Sequence, residues 1–600
     1  MVQDSHGFFT DFPLLGWFVI VLAVFLVFRP IFSIGPVVWG DAPFFYHGAF
    51  KDFFLEPFAW ESRGRLGVAI DLYWIYPLMV VYKGLGLLGL SNDLIIRLVF
   101  YFPAIFFAFL SPLLFTRYLG FSTIVSLFSV LVYVLNTYFI LLIDGGQVGV
   151  ALAYGLFPLA LLELYKLTRE QNNLQFFRGL FLFMLLVIAD VRLAIIAILT
   201  AIFWVGLEHF TSFRKIRRQN FVKFALFGMA FLALSAYWLL PVVVVEPTTG
   251  VTTRSALQLI SVLNPIFIFQ PHWPLNEFGK ISAPSWFFGG TLLLMFANLF
   301  FKISKRTLIF VFCFLIFVFL AKGDTGILSN LYALAVDKIP LGGAFRDSTK
   351  FFTPLLLFAG ILIGISVQSF TEIFKKQVFS KAIALLVFAY LLFLIYPAIF
   401  GNMHGVLAGR EFPKDLKVFA DKVSAEDKFF RTAWFPEHHP FSFNTERKPA
   451  LDAKTLADLR PLASLNVGTS DRFNFLHNKQ FLQWFDILGV KYLVFSGDTR
   501  KVLADNTNEE DWNSLLNLAG NTEGLDKVEW GTSFPVYETP KSKPRVFAVD
   551  KVLAVVGSDD IYNSIQEHSA DYCGDELNTD MSSSFGGEPR SLERGGCHQR

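Results

Sequence analysis

Long apolar runs separated by short polar stretches fill the first two thirds of the chain. They fall near 12–28, 72–90, 94–115, 121–143, 148–166, 176–189, 192–208, 221–245, 286–301, 307–321, 351–369 and 382–400. A helix needs about 20 apolar residues to cross about 30 Å of hydrocarbon, so each run is a candidate membrane helix. The runs 176–189 and 192–208 are short and flank Asp190 and Arg192, which predicts a helical hairpin turning within the membrane. Beyond Gly401 the pattern changes. Lys414–Val423 reads as a helix, and Lys491–Ser496 and Arg545–Val549 read as strands, with Pro and charge between them. The expected fold is therefore mainly α. A polytopic membrane helix bundle of about 11–13 helices occupies 1–400, with a long first loop at 29–75. An exoplasmic α+β domain follows at 401–570, and a Ser/Gly/Glu/Arg-rich tail at 571–600 is expected to be disordered.

Composition agrees with the pattern. The chain is 54% hydrophobic and 17% charged, with 72 Phe and a mean hydropathy of +0.51. A soluble protein carries about 25% charged residues. The first run, Phe12–Phe28, lacks a basic segment before it and a small-residue cleavage site after it, so it reads as a retained helix. Of the three cysteines, Cys313 lies in an apolar run and reads as a small buried hydrophobe. Cys573 and Cys597 have no metal or redox spacing and would pair only in an oxidising compartment.

Cations in short loops set orientation. Arg214, Lys215, Arg217, Arg218 and Lys223 form the strongest cluster. Others are Lys302, Lys305 and Arg306; Lys375, Lys376 and Lys381; and Lys166, Arg169 and Arg178. With these in the cytoplasm, 246–285, 322–350 and everything after 401 fall on the exoplasmic side. Strict alternation backwards from Lys166 puts the 29–75 loop in the cytoplasm. One run between 72 and 208 that fails to cross would put it outside, and the sequence leaves both open.

The most informative stretch is Val38-Trp39-Gly40-Asp41-Ala42-Pro43-Phe44-Phe45, an acid in a Gly/Pro turn just past the first helix. Three others stand out: Gly145-Gly146-Gln147 before Phe157-Pro158-Leu159, Phe345-Arg346-Asp347-Ser348-Thr349-Lys350-Phe351, and Leu488-Gly489-Val490-Lys491-Tyr492-Leu493-Val494. In this order the motifs resemble the GT-C class of membrane glycosyltransferases. They resemble most the large membrane proteins related to bacterial lipoteichoic-acid glycosylating enzymes and mycobacterial arabinofuranosyltransferases. The resemblance spans about residues 10 to 555.

The resemblance implies transfer of a sugar from a polyprenyl-phosphate donor, held in the lipid bilayer, to an envelope glycan, lipid or protein acceptor. The acceptor hydroxyl then needs a base, and Asp41 is the candidate. The departing phosphate needs cations, and Arg346 with Lys350, one turn apart, are the candidates. Interfacial anchoring is the competing reading for that pair. Asp190 and Arg192 are candidates for a substrate cavity, as ionisable residues between apolar runs are; structural pairing with Arg97 or Glu163 is the alternative. His272 and Trp273 are candidates for lining the same cavity. Asp144, at a helix end before Gly145-Gly146, reads as part of a turn. Glu437-His438-His439 resembles a metal set only superficially and reads as solvated surface. No cofactor is required by these residues, and a divalent cation is compatible with the class.

No Gly-x4-Gly-Lys-Ser/Thr loop is present, which argues against ATP-driven transport. No basic, aromatic-studded face points to nucleic acid. Two competing readings stay open: a transporter or flippase of lipid-linked glycans, and a non-catalytic envelope-assembly protein.

Overall fold

The apolar runs become helices, in chain order α1 (Asp11–Val27), α2 (Tyr76–Leu87), α3 (Asn92–Tyr118), α4 (Thr123–Asp144), α5 (Val148–Leu167) and α6 (Asn173–Ala189). There follow α7 (Val191–Ser212), α8 (Arg218–Val244), α9 (Trp286–Phe300), α10 (Lys305–Ala321), α11 (Phe352–Ile373) and α12 (Gln377–Phe393). The computed structural model describes residues 11–46, 50, 60–61, 66, 68–69, 73–169, 172–212, 218–244, 263–272, 286–301, 303–339, 342–373, 377–459, 462–465, 473–478, 481–496 and 509–549. Among these, six helices are long and apolar enough to cross a membrane, and four shorter apolar helices accompany them. Trp273, Cys573, Cys597 and the 571–600 tail lie outside the described residues.

Two compact units emerge. One is Met1–Ala59 with Ala69–Phe412, and the other is Trp60–Val68 with Pro413–Arg600. The dividing line thus falls after Phe412, later than the expected 400, and a piece of the first loop joins the second unit. In the first unit, α4, α5 and α11 form the buried centre, with α3 against α5 and α10 against α11. Helix α4 breaks at Leu135 and restarts at Asn136, whose Oδ1 accepts from Phe139 N at 2.9 Å. Cys313 is buried inside α10, as a small hydrophobe would be.

Contacts between helix ends sort the bundle into two faces. At one, Lys166 lies over the Tyr118 ring, Arg169 pairs with Glu208 at 2.7 Å, and Arg178 reaches Glu163 at 3.4 Å. Arg306 donates to Leu119 O there. This is the cation-rich end. Helices α5, α6 and α7 run between it and the opposite end, where the start of α5 meets the end of α6: a Cβ at Gly149 would lie 2.8 Å from Ala189 O. The α6–α7 hairpin therefore turns at the end of the bundle, level with the start of α5. Before this turn, α6 has 17 residues, about 26 Å of helix at 1.5 Å per residue.

The same reasoning settles where the first loop lies. Asp41 N donates to Gly145 O at 3.0 Å, so the loop sits at the end opposite the cations. Helix α2 explains the parity. Before it, Trp74 O accepts from Tyr237 OH at 2.8 Å; after it, Asn92 Oδ1 accepts from Phe45 N at 3.1 Å. Both anchors belong to the same end. Helix α2 has 12 residues, about 18 Å, short of the roughly 30 Å of hydrocarbon, and both of its flanks lie at one end of the bundle.

Arg97 holds the first loop down. It is buried, and its guanidinium donates to Ile31 O at 2.9 Å, Ser33 O at 2.7 Å, Gly35 O at 2.7 Å and Asp93 O at 2.8 Å. Charged hydrogen bonds contribute about 1.5–3 kcal/mol each, fewer when carbonyls find water instead. Arg97→Ala should therefore cost about 2–4 kcal/mol, read as a lower midpoint of heat-induced unfolding in detergent. An unchanged midpoint would mean that the loop needs no such anchor.

The second unit carries a sheet of β1 (Arg431–Phe435), β2 (Ala450–Asp452), β3 (Val490–Phe495), β4 (Asp526–Lys527) and β5 (Val536–Glu538), ordered β2-β1-β3-β5-β4. Strands β1, β2 and β3 are parallel, and β5 is antiparallel to both of its neighbours. Leu66 from the first loop packs against the core of this unit. Residues 545–549, expected as a strand, are irregular, with Val546 85% exposed. Pro540 and Pro544 remove backbone donors just before them. The Glu437–His439 stretch is not solvated surface. His438 Nδ1 lies 2.5 Å from Asp452 Oδ1, Lys454 pairs with Glu437, and His439 is buried.

Candidate active site

Asp41 owes its place to two glycine motifs that the fold presses together. Gly146 has φ +72°, and a Cβ there would lie 2.1 Å from Trp39 O and 2.5 Å from Ala42 N. A Cβ at Gly40 would lie 2.4 Å from Gly145 O. Only backbone fits between the two turns. The close approach leaves Asp41 exposed, with Oδ2 accepting from Gln147 Nε2 at 3.1 Å. A carboxylate so placed keeps a free oxygen for a ligand proton. Behind the turn, Asp144 is buried and accepts from Gly405 N at 3.0 Å and Leu407 N at 2.9 Å. Its expected role as part of a turn extends to tethering this distant segment. Arg410, three residues on, lies 3.4 Å from the centre of the Trp39 ring.

The tip of the α6–α7 hairpin is the second feature of this end. Asp190 is buried and extended, and its Oδ1 accepts from Arg192 N at 2.8 Å, which caps α7. Arg192 Nη2 lies 2.5 Å from Asp190 Oδ2. The alternative partners weighed from sequence are engaged elsewhere: Glu163 with Lys166 at 2.9 Å and Arg97 with loop carbonyls. Asp190→Ala should cost about 1–2 kcal/mol for the cap and also strand Arg192. Asp190→Asn, which keeps a capping oxygen, should cost less. Equal losses of thermal midpoint would assign the effect to charge alone.

The third feature is the start of α11. Lys350 is buried and pairs with Asp347 at 2.7 Å, while Asp347 Oδ1 also accepts from Thr349 N at 3.0 Å. Arg346 is exposed and has no ion-pair partner among the described residues. The two proposed phosphate-binding cations are thus in different states: Arg346 is available and Lys350 is neutralised. His272 is buried, 4.9 Å from the Tyr138 ring and 5.7 Å from that of Phe352. Burial pushes its imidazole down to about 3, so it is neutral at pH 7.

Asp347 links these groups. It lies within electrostatic reach of His272, Arg192 and Tyr138. Asp190, Arg192, His272 and Lys350 therefore converge, with Arg346 beside them at the same end of the bundle as Asp41. Sequence reasoning quoted Gln147 and Asp347 within motifs but gave them no role, and it did not single out Tyr138. The i,i+3 spacing of Asp347 and Lys350 was a readable signal for one of them. Among the described residues no three His, Cys, Asp or Glu side chains converge as a metal site would require.

No family model matches the chain, and no curated protein matches it. Among solved structures it is similar to the arabinofuranosyltransferase AftD from mycobacteria, with TM-score 0.52 and 13% identity, covering 88% of this chain and 42% of that one. The chain thus spans under half the length of that protein. It is also similar to ArnT from Cupriavidus metallidurans, with TM-score 0.47, 11% identity and coverage of 87% and 98%. A third is the archaeal oligosaccharyltransferase AglB from Archaeoglobus fulgidus, with TM-score 0.41, 12% identity and coverage of 81% and 70%. The likeness to the first shows the fold, a GT-C-type membrane bundle.

Proposed function

We propose that this chain is a membrane glycosyltransferase that moves a sugar from a polyprenyl-phosphate donor to an envelope glycan, lipid or protein acceptor. The observation that carries the reading is the exposed Asp41, held by the Gly145 carbonyl and the Gln147 side chain at the same end as Arg192, His272 and Arg346. The GT-C-type fold supports it. That end is the exoplasmic one, because the cation clusters crowd the other.

In this mechanism Asp41 takes the proton of the acceptor hydroxyl. The hydroxyl oxygen bonds to the anomeric carbon as the bond from that carbon to the phosphate oxygen breaks. The bonding electrons leave with the polyprenyl phosphate, whose new charge faces Arg346. Lys350, already paired, serves to hold Asp347 and the start of α11 and is not a free ligand for phosphate. Neutral His272 and Tyr138 offer hydrogen bonds to sugar hydroxyls without adding charge.

The test is direct. The purified chain in nanodiscs is given synthetic polyprenyl-phosphate sugars, and glycans and lipid-linked sugars of the envelope are compared by mass spectrometry with and without the protein. Loss of a defined sugar together with accumulation of its lipid-linked donor supports transfer. Unchanged glycans alongside lipid-linked sugars trapped on one face of the membrane would replace this reading with flipping.

A further inference from the structure

At the end of the bundle that carries Asp41, an open groove of about 350 Å³ is lined by Phe25, Arg29, Pro30, Phe32, Ser33 and Gly409. Its wall is an aromatic stack: Phe25 and Phe32 have ring centroids 5.5 Å apart, and Phe32 lies 5.7 Å from Phe102. Both Phe25 and Phe32 are exposed; Phe25 lies on a face of α1 that also exposes Phe18, Val21 and Leu22, and Phe32 follows the helix. In a membrane bundle such a face looks onto lipid, so the groove opens sideways into the bilayer and not into water.

Arg29 is the charged group of this groove. It is exposed and has no ion-pair partner among the described residues. Its Nη2 donates to Phe400 O at 3.2 Å and its Nη1 makes a longer contact of 3.4 Å with Ile399 O. A guanidinium has five N–H donors in a planar fork that matches phosphate oxygens. Two carbonyls occupy two donors and leave the positive charge uncompensated beside an apolar channel.

We propose that this groove is a binding site for an anionic glycerophospholipid of the surrounding leaflet. Its phosphate diester takes the free N–H edge of Arg29, and one acyl chain lies along Phe25 and Phe32. Charge complementarity selects the headgroup, and the aromatic stack holds the chain. The site is separate from the sugar-transfer reading, since it opens on the lipid-facing side of α1.

Native mass spectrometry of the delipidated full chain, with phosphatidylglycerol or phosphatidylcholine added back, tests it. The expected result is about fivefold preferential retention of phosphatidylglycerol, the worth of one Arg near an anionic surface. Arg29→Gln should abolish the preference, and Arg29→Lys should keep part of it. Phosphatidylglycerol should also raise the thermal midpoint of the parent chain and leave that of Arg29→Gln unmoved. If Arg29→Gln lowers the midpoint equally in both lipids and the fivefold preference persists, Arg29 merely caps the Tyr396–Phe400 helix and the proposal fails. It fails also if polyprenyl phosphate is retained more tightly than phosphatidylglycerol and is lost in the same variant, since the groove would then belong to the donor.

Discussion

Asp41→Asn is expected to abolish sugar transfer by about 10²- to 10⁴-fold, the usual scale for removing a general base, while the protein stays folded. The amide is nearly the same size, and it can still accept from Gln147 Nε2, now 3.1 Å from the carboxylate. It cannot take a proton from the acceptor. Asp41 is exposed and its main-chain N–H, not its side chain, ties the turn to Gly145. Initial rates with a synthetic donor, normalised to the folded fraction seen by gel filtration, give the result. Turnover per folded molecule that matches the parent would remove Asp41 from the chemistry and leave an interfacial anchor in its place.

Gly146→Ala should be as damaging by a different route. A methyl group at this position would meet Trp39 O at 2.1 Å and Ala42 N at 2.5 Å, both backbone atoms that cannot rotate away. The left-handed φ of +72° adds about 1–2 kcal/mol for a residue with a Cβ. The two turns must separate, and Asp41 moves with them. A displacement of about 1 Å at a reacting group is enough for a loss of about 10²-fold. The variant should therefore lose transfer and unfold at lower temperature, whereas Asp41→Asn should lose transfer alone. That contrast separates positioning from chemistry. A Gly146→Ala protein with parental rate and midpoint would show that the close packing of the two turns does not position Asp41.

The membrane bundle was legible because hydrocarbon imposes one length and one polarity on whatever crosses it, and α3, α4, α5, α7, α8 and α11 obey that rule. The place of Asp41 in a turn just past the first helix was legible too, from Gly40 and Pro43 on either side of it. Its partner was not. Gln147 lies 106 positions away, and nothing local in either turn announces that the two touch. Lys350 looked like a free cation because spacing gives proximity to Asp347 but says nothing of burial. Asp190 and Arg192 were read as substrate-cavity candidates or else as partners of Arg97 or Glu163, whereas the extended residue between two helices lets the carboxylate cap the second helix and hold its own neighbour. Whether one of the runs between 72 and 208 fails to cross stayed open, because apolar length alone does not decide it.

The short helix α2 decides more than local packing. During synthesis the insertion machinery meets 72–90 as a stretch long enough to be retained in the bilayer, but Lys83 stands near its middle among Gly84, Gly86 and Gly89. A lysine at the centre of a membrane helix costs about 2.5–3.5 kcal/mol on the insertion scale, and the glycines offer little apolar surface to offset it. Refusal of this stretch makes α3 the second helix to cross instead of the third. Every later helix inherits its direction from that refusal. One charged side chain thereby decides whether Asp41, which precedes this stretch, shares an end of the bundle with the helix ends that follow it.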